Sequence, residues 1–171
     1  MITWTGENVN LREPEKGSIN IRDIAHALSN ICRYGGHCEF YSVAEHCVLL
    51  SWYAQQLHSP GRLPLLLLLH DAAEAYLGDT VAPDKTKEFE QREADFITVI
   101  YDALGVPVPE VSEASVALDL DVRIRHDECL AIRAPEQNAH MTAAFAPLGI
   151  RIFKWRPYRA EEEFLNQYWS L

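Results

Sequence analysis

The sequence has few of the features expected of a protein that binds nucleic acid or crosses a membrane. Its 171 residues include 15 Lys and Arg against 25 Asp and Glu, which gives a formal net charge of −10 at pH 7. This balance argues against a large binding surface for DNA, RNA or an anionic membrane. The longest apolar run, residues 63–69, is far shorter than a bilayer span and contains Pro64. We therefore expect a small anionic partner, held by a few local cations and a metal ion.

Cysteine is scarce, and so are sequence repeats. The four cysteines match no paired zinc-ligand spacing; they are Cys32, Cys38, Cys47 and Cys129. The N-terminus shows no basic start followed by an apolar stretch, and there is no internal repeat or low-complexity segment. We expect a soluble, unexported protein with reduced thiols, in the cytoplasm of a cell or of a phage-infected host. At 48% hydrophobic residues, the chain predicts a single domain over residues 1–171.

Most of the chain has helical spacing of apolar residues. Helix start and stop signals predict helices that begin after Asn20 and at the capping box of residues 42–45. Further helices are predicted over residues 64–77, 87–104, 111–132 and 160–169. Residues 1–16 suggest a hairpin, and residues 149–158 have an extended character and can pair with it. The predicted fold class is therefore all-α, a helical bundle with a minor β hairpin or edge formed by the termini.

The segment from His70 to Glu74 gives the strongest indication of a catalytic or metal-binding site. It follows a run of leucines, so polar side chains are brought to the edge of a hydrophobic interior. On a helical period Asp71 and Glu74 share a face, as do His70 and Glu74. One helix can therefore supply two metal ligands and a nearby acid or base.

Further ligands are available from other predicted helices. His46 lies in the first turn after the capping box, and a carboxylate is expected from the long helix of residues 111–132. Asp119 and Asp121 are the two candidates. Because they are two residues apart on a helix, only one of them can point inward. The apolar stripe of this helix does not decide which one.

These residues carry a family resemblance. His46, then His70 with Asp71, then a later Asp resemble the signature of the HD-domain metal-dependent phosphohydrolases. Residues 31–34, 43–46 and 70–85 are also similar to elements of bacterial 5′-deoxynucleotidases and of small phage deoxyadenosine-triphosphate triphosphohydrolases. The family pattern places the last ligand seven residues before a Glu, as Asp121 stands before Glu128. The resemblance therefore implies Asp121 as the fourth ligand.

The resemblance also implies roles for individual residues. One divalent ion, Mn²⁺, Co²⁺, Fe²⁺, Zn²⁺ or Mg²⁺, would be held by His46, His70, Asp71 and Asp121. Glu74 would act with Asp71 in catalysis, Glu74 as the general acid or base. The implied substrate contacts are Arg33 and Lys85 with phosphate, Asp79 with the sugar 3′-hydroxyl, and Tyr34 and His37 in the substrate pocket. Tyr34 stands where the deoxynucleotidase pattern has Trp.

The function implied by the resemblance is metal-dependent hydrolysis of the 5′-phosphate ester of a deoxynucleotide. The product is a nucleoside with either phosphate or tripolyphosphate, as in a deoxynucleoside monophosphate 5′-nucleotidase or a dATP-type triphosphohydrolase. Two alternatives stay open: a hydrolase of another small phosphorylated metabolite, and a non-catalytic nucleotide-binding HD protein. The expected partner is a small nucleotide, with no nucleic acid or membrane, and we expect a homo-oligomer, a dimer or larger.

Overall fold

A computed structural model describes residues 1–57, 61–80, 86–134 and 146–171. Lys85, predicted to contact phosphate, lies outside these residues. The described helices are α1 (Ile21–Asn30), α2 (Val43–Gln56), α3 (Leu63–Leu69), α4 (Glu74–Leu77), α5 (Lys87–Leu104), α6 (Val111–Ile132) and α7 (Pro157–Ser170). The all-α prediction is confirmed.

Side-chain caps fix where α1 and α2 begin. The Asn20 side chain accepts a hydrogen bond from the backbone N–H of Arg22, and the Ser42 hydroxyl accepts one from the N–H of Glu45. The predicted capping box at α2 is only half formed, because the Glu45 carboxylate binds the backbone of residues 153–155 instead. The helix start was therefore predicted correctly, and the role of Glu45 was not.

Helix α2 is the centre of the molecule. It packs against α1, α3, α6 and α7, and every residue from Val43 to Ser51 is buried. A helix that is buried on all sides places any polar side chain it carries inside the core. His46, one turn into α2, is therefore held without contact with solvent.

The predicted single helix over residues 64–77 is interrupted where the His–Asp pair occurs. Helix α3 ends at Leu69 and α4 begins at Glu74. Between them the backbone N–H of Ala72 donates to the Leu69 carbonyl, and the N–H of Glu74 donates to the Asp71 carbonyl. The N···O distance is 3.0 Å in both bonds. These bonds span three residues, as in a 3₁₀ helix, in which residues three apart are eclipsed. The tighter turn aligns Asp71 with Glu74 on one face.

The termini contribute almost no β structure. Residues 1–9 form a small hairpin with one isolated bridge, between Ile2 and Asn8. The predicted pairing of residues 149–158 with this hairpin is absent from the described residues, since the extended backbone before α7 binds Glu45 instead. In the part of the chain that the structure describes, no helix is both long and apolar enough to span a bilayer.

Candidate metal centre and active site

Four side-chain atoms from three helical segments converge at the end of α3. The Nε2 atoms of His46 and His70 lie 3.3 Å apart. Asp121 Oδ1 lies 3.2 Å from Nε2 of His46. Asp71 Oδ2 lies 3.7 Å from the same nitrogen and 3.3 Å from Nε2 of His70. The four ligands implied by the family resemblance are therefore brought together.

The other nitrogen of each imidazole is already bound. His70 Nδ1 lies 2.7 Å from the carbonyl oxygen of Leu67. Since a carbonyl only accepts, this nitrogen must carry the proton. His46 Nδ1 lies 2.6 Å from Oε1 of Glu128, a carboxylate that is also an acceptor. The neutral form of each ring therefore turns an unprotonated Nε2 towards the two aspartates.

This arrangement fits a divalent cation. Two nitrogen lone pairs and two carboxylate oxygens face one another, and a cation bound by all four would compensate their repulsion. With metal–ligand distances of about 2.1 Å, neighbouring ligands lie about 3.0 Å apart in an octahedron and about 3.4 Å apart in a tetrahedron. Four of the spacings, each involving a histidine Nε2, are 3.2–3.7 Å and are close to both.

Cys47 is a less suitable ligand. Cys47, His70 and Asp71 also form a close group. The Cys47 thiol, however, lies in the core, and burial raises its pKa well above the usual value. Metals bind the thiolate, so this shift disfavours ligation by Cys47. The set with His46 and Asp121 has the better donors.

The structure distinguishes the two aspartates that the sequence left open. The Asp121 side chain is 13% exposed and faces the histidines. The Asp119 side chain is 53% exposed and pairs with Arg123, one turn further along α6. Asp121 also accepts a hydrogen bond from Arg125, which lies at the mouth of the site.

Glu128 organises the site from behind. It is fully buried in α6. In addition to its hydrogen bond with His46, its carboxylate accepts one from the Tyr34 hydroxyl, with an O···O distance of 2.5 Å. The guanidinium of Arg33 lies 3.4 Å from the same carboxylate and 3.5 Å from that of Asp71. Burial alone would raise the pKa of Glu128, but Arg33 and His46 outweigh burial and lower it to about 2. Glu128 is therefore ionised at neutral pH.

A cleft of about 490 Å³ opens over this centre. Seven residues predicted from the sequence line it, together with Thr80, Leu118 and Arg125; the seven are Arg33, Tyr34, His70, Asp71, Glu74, Asp79 and Asp121. His46 lies beneath the floor. His37, predicted to be in the substrate pocket, is exposed and is not among the lining residues in the described part of the chain.

A second, apolar cavity adjoins the centre from the other side. It measures about 430 Å³ and shares His70, Leu118 and Asp121 with the cleft. Its remaining wall comes from α3, α5, the following loop and the first half of α6, mainly from Leu66, Ile97, Tyr101, Val108, Ala114 and Ala117. His70 and Asp121 therefore line both the cleft and the apolar cavity.

Sequence reasoning gave no role to two residues that the structure places here. Glu128 served only as a spacing mark, although it lies seven residues after Asp121. Seven residues are close to two helical turns, so this spacing alone puts both carboxylates on one face of α6. Arg125, which the sequence gave no reason to single out, pairs with Asp121 and lines the cleft.

Comparison with known proteins agrees with this geometry. Residues 35–116 match the family model described as HD domain. This range includes His46, His70, Asp71, Glu74 and Asp79, whereas Arg33, Tyr34 and Asp121 lie outside it. The match covers less than half of the chain and specifies no substrate.

Two curated bacterial proteins are similar to the chain over part of their length. The chain is 39% identical to the uncharacterized protein YfdR of Escherichia coli over 108 residues, which are 61% of this chain and 58% of that protein. It is also 39% identical to an uncharacterized protein of Rhodobacter capsulatus over 87 residues, 47% of this chain and 44% of that one. The chain thus matches about half the length of these relatives.

Proposed function

We propose that this protein hydrolyses the 5′-phosphate ester of a deoxynucleotide, with one divalent metal ion bound by His46, His70, Asp71 and Asp121. The observation that carries the proposal is the convergence of two imidazole nitrogens and two carboxylate oxygens at a cleft that also contains a further carboxylate and a guanidinium. Mixed nitrogen and oxygen ligands suit Mn²⁺, Co²⁺, Fe²⁺ or Zn²⁺ at least as well as Mg²⁺.

The bound ion would polarise the phosphoryl group and lower the pKa of a water molecule. The remaining chemistry belongs to the side chains. Glu74, buried and lined up with Asp71 by the 3₁₀ turn, relays a proton at the reaction centre. Arg33 offers its planar guanidinium to the phosphate, and its present contacts with Asp71 and Glu128 keep it at the cleft. Arg125 supplies a second positive charge at the mouth.

Two features support a nucleotide over a small polar phosphoester. Asp79 lines the same cleft as Arg33, in a position to accept a hydrogen bond from a sugar hydroxyl. The apolar cavity beside His70 and Asp121 has room for a flat, weakly polar group such as a nucleobase. A small sugar phosphate or inorganic polyphosphate would leave that cavity unfilled.

A screen for release of phosphate or tripolyphosphate tests the proposal. Purified protein is assayed on dAMP, AMP, dATP, ATP and glycerol phosphate, with Mn²⁺, Co²⁺, Mg²⁺ and Zn²⁺ supplied separately. We expect deoxynucleotides to have the highest kcat/KM, by at least about tenfold over their ribonucleotide counterparts, which corresponds to about 1.4 kcal/mol. Asp79→Ala should lose rate on deoxynucleotides and reduce this preference.

The screen also separates the alternatives. Equal rates on deoxy and ribo substrates would contradict the deoxynucleotide assignment. Fastest turnover of glycerol phosphate would favour the small-metabolite hydrolase. Nucleotide binding with no release of phosphate or tripolyphosphate under any metal would favour the non-catalytic protein.

A further inference from the structure

Two cysteines enclose the segment that carries Arg33 and Tyr34. The Sγ atoms of Cys32 and Cys38 lie 3.9 Å apart, in van der Waals contact. Both residues are partly exposed, whereas Cys47 and Cys129 are buried. The two thiols of this pair are therefore reachable by a small oxidant, and the other two are shielded from one.

We propose that Cys32 and Cys38 form a reversible disulfide that modifies the cleft. A disulfide requires a sulfur–sulfur distance of about 2.05 Å, so the two atoms must approach by about 1.9 Å. The segment between them has the freedom to adjust, because it contains Gly35 and Gly36, both at positive φ. No large rearrangement of α1 or α2 is needed.

Each end of the segment is attached to the rest of the fold. Cys32 forms a β-bridge with Ser42, which caps α2, and the N–H of Arg33 donates to the Tyr41 carbonyl. Next to Cys38, the N–H of Glu39 donates to the carbonyl of Ile132 at the end of α6. Because both ends of the loop are anchored, a disulfide between Cys32 and Cys38 must be accommodated within the loop. The resulting displacement is expected at Arg33 and Tyr34.

The conformation of Tyr34 makes it sensitive to this change. Its φ of 58° lies in the left-handed region, which a residue other than glycine adopts at a cost. It is held there by its hydrogen bond to Glu128 and by the guanidinium of Arg133, 4.3 Å from the ring centre. The Cys38 thiol also contacts the Arg33 carbonyl oxygen at 3.5 Å, a contact that the disulfide would remove.

The oxidation balances with hydrogen peroxide as the oxidant. Burial and the neighbouring Cys32 raise the pKa of Cys38 to about 12, so Cys38 carries its proton at neutral pH. Cys32, as the thiolate, attacks one peroxide oxygen, the O–O bond breaks and hydroxide departs. Cys32 is then a sulfenic acid. The Cys38 sulfur then attacks the Cys32 sulfur, the S–O bond breaks, and the thiol proton leaves in water. The two sulfur atoms lose two electrons, which peroxide accepts.

The primary test uses the unmodified chain and does not depend on its activity. After treatment with a small excess of hydrogen peroxide, thiol titration under denaturing conditions should fall from four to two, and the mass should fall by two hydrogen atoms. Peptide mass spectrometry should map the bond to Cys32 and Cys38, and dithiothreitol should reverse it. Four remaining thiols, or a bond that includes Cys47 or Cys129, would overturn the proposal.

A second measurement concerns the consequence for the cleft, and this part rests on the proposed function. Oxidised wild-type protein should lose turnover on its best substrate by up to about 100-fold, the cost of a displacement near 1 Å, and regain it with dithiothreitol. The double variant Cys32→Ser with Cys38→Ser is the matched control and should not respond to peroxide. A mapped bond with unchanged turnover would overturn the effect on the cleft. If the protein hydrolyses nothing, the mapped bond still stands and only the proposed function fails.

Discussion

At the scale of single residues, Glu128 connects the proposed metal ligands to the proposed substrate side of the cleft. Its carboxylate binds the outer nitrogen of His46, the hydroxyl of Tyr34 and the guanidinium of Arg33. A carboxylate behind a metal-binding histidine fixes the ring orientation and increases the basicity of the ligating nitrogen. Glu128 therefore acts through its neighbours and touches no substrate itself.

Replacing this carboxylate with an amide separates its role from that of the ligands. Glu128→Gln should weaken metal affinity by about 10–100-fold, because a neutral amide is a poorer acceptor for His46. Metal titration by calorimetry, at a temperature where circular dichroism shows a folded protein, measures the change. Glu88→Gln, a solvent-exposed change in α5, is the control. Unchanged affinity in Glu128→Gln would contradict this role.

The two aspartates of α6 provide a matched pair. Asp121→Asn should remove both the bound metal and the activity, because one of four converging donors loses its charge. Asp119→Asn, two residues away, should preserve both, since its side chain only pairs with Arg123 on the surface. Metal content by mass spectrometry and phosphate release give the answer. The reverse pattern would transfer the ligand role to Asp119.

A substitution at Glu74 should distinguish metal binding from the catalytic step. Glu74→Gln should keep the metal and bind nucleotide, and should lower kcat by about 100-fold or more, the scale of a general acid or base. Metal content and nucleotide affinity are measured beside kcat. Loss of the metal along with the rate would instead make Glu74 part of the metal site, and a normal kcat would exclude it from the reaction.

At the scale of elements, sequence signals identified helices well and interruptions poorly. Both ends of α5 agree with the prediction because Thr86 caps its start and Gly105 its end, and both are strong local signals. The break between α3 and α4 has no such signal, since Ala72 and Ala73 favour a regular helix. Its 3₁₀ bonds belong to a region where the His70 side chain binds the Leu67 carbonyl, a contact that helix periodicity does not reveal.

The same limit applies to contacts between distant segments. The resemblance led to His46, His70, Asp71 and Asp121 because their spacing is a linear pattern. No pattern links Glu45 with Trp155, which are 110 residues apart. The capping-box motif explained Glu45 locally, and the tertiary contact replaced that explanation. Such pairs depend on how helices pack, which a single sequence does not encode as a local signal.

The Glu45 contact gives a prediction about stability. Its carboxylate accepts hydrogen bonds from the N–H groups of Phe153, Lys154 and Trp155, with N···O distances of 2.8, 2.9 and 2.6 Å. Lys154 has a φ of 58°, so successive N–H groups form an anion-binding nest. Glu45→Ala should lower the free energy of unfolding by about 2 kcal/mol, because partly buried N–H groups lose their acceptor.

Urea unfolding followed by tryptophan fluorescence measures this effect, since Trp155 packs against Trp52. The control is Glu39→Ala, which removes an exposed carboxylate that binds the Lys154 ammonium group from outside. This surface pair should contribute less than about 1 kcal/mol. Equal losses in the two variants would mean that the nest does not stabilise the segment before α7.

At the scale of the whole molecule, metal binding and folding should be coupled. The ligands come from α2, the turn after α3, and α6, and these elements lie far apart in sequence. An unfolded chain with a net charge of −10 holds no such arrangement, so the ion binds mainly the folded state. Any ligand with that preference raises the temperature of unfolding by mass action.

Metal addition should therefore stabilise the protein in the absence of any substrate. At a free Mn²⁺ concentration about 100 times the Kd, the stabilisation is about 2.7 kcal/mol. For a chain of this length, that corresponds to a rise in Tm of about 5–10 °C. Calorimetry of chelator-treated protein with and without Mn²⁺ measures it. Asp121→Asn should show little response and Asp119→Asn the full response, because only Asp121 faces the histidines. A Tm that did not change with any divalent ion would contradict the metal centre, whatever the activity assays showed.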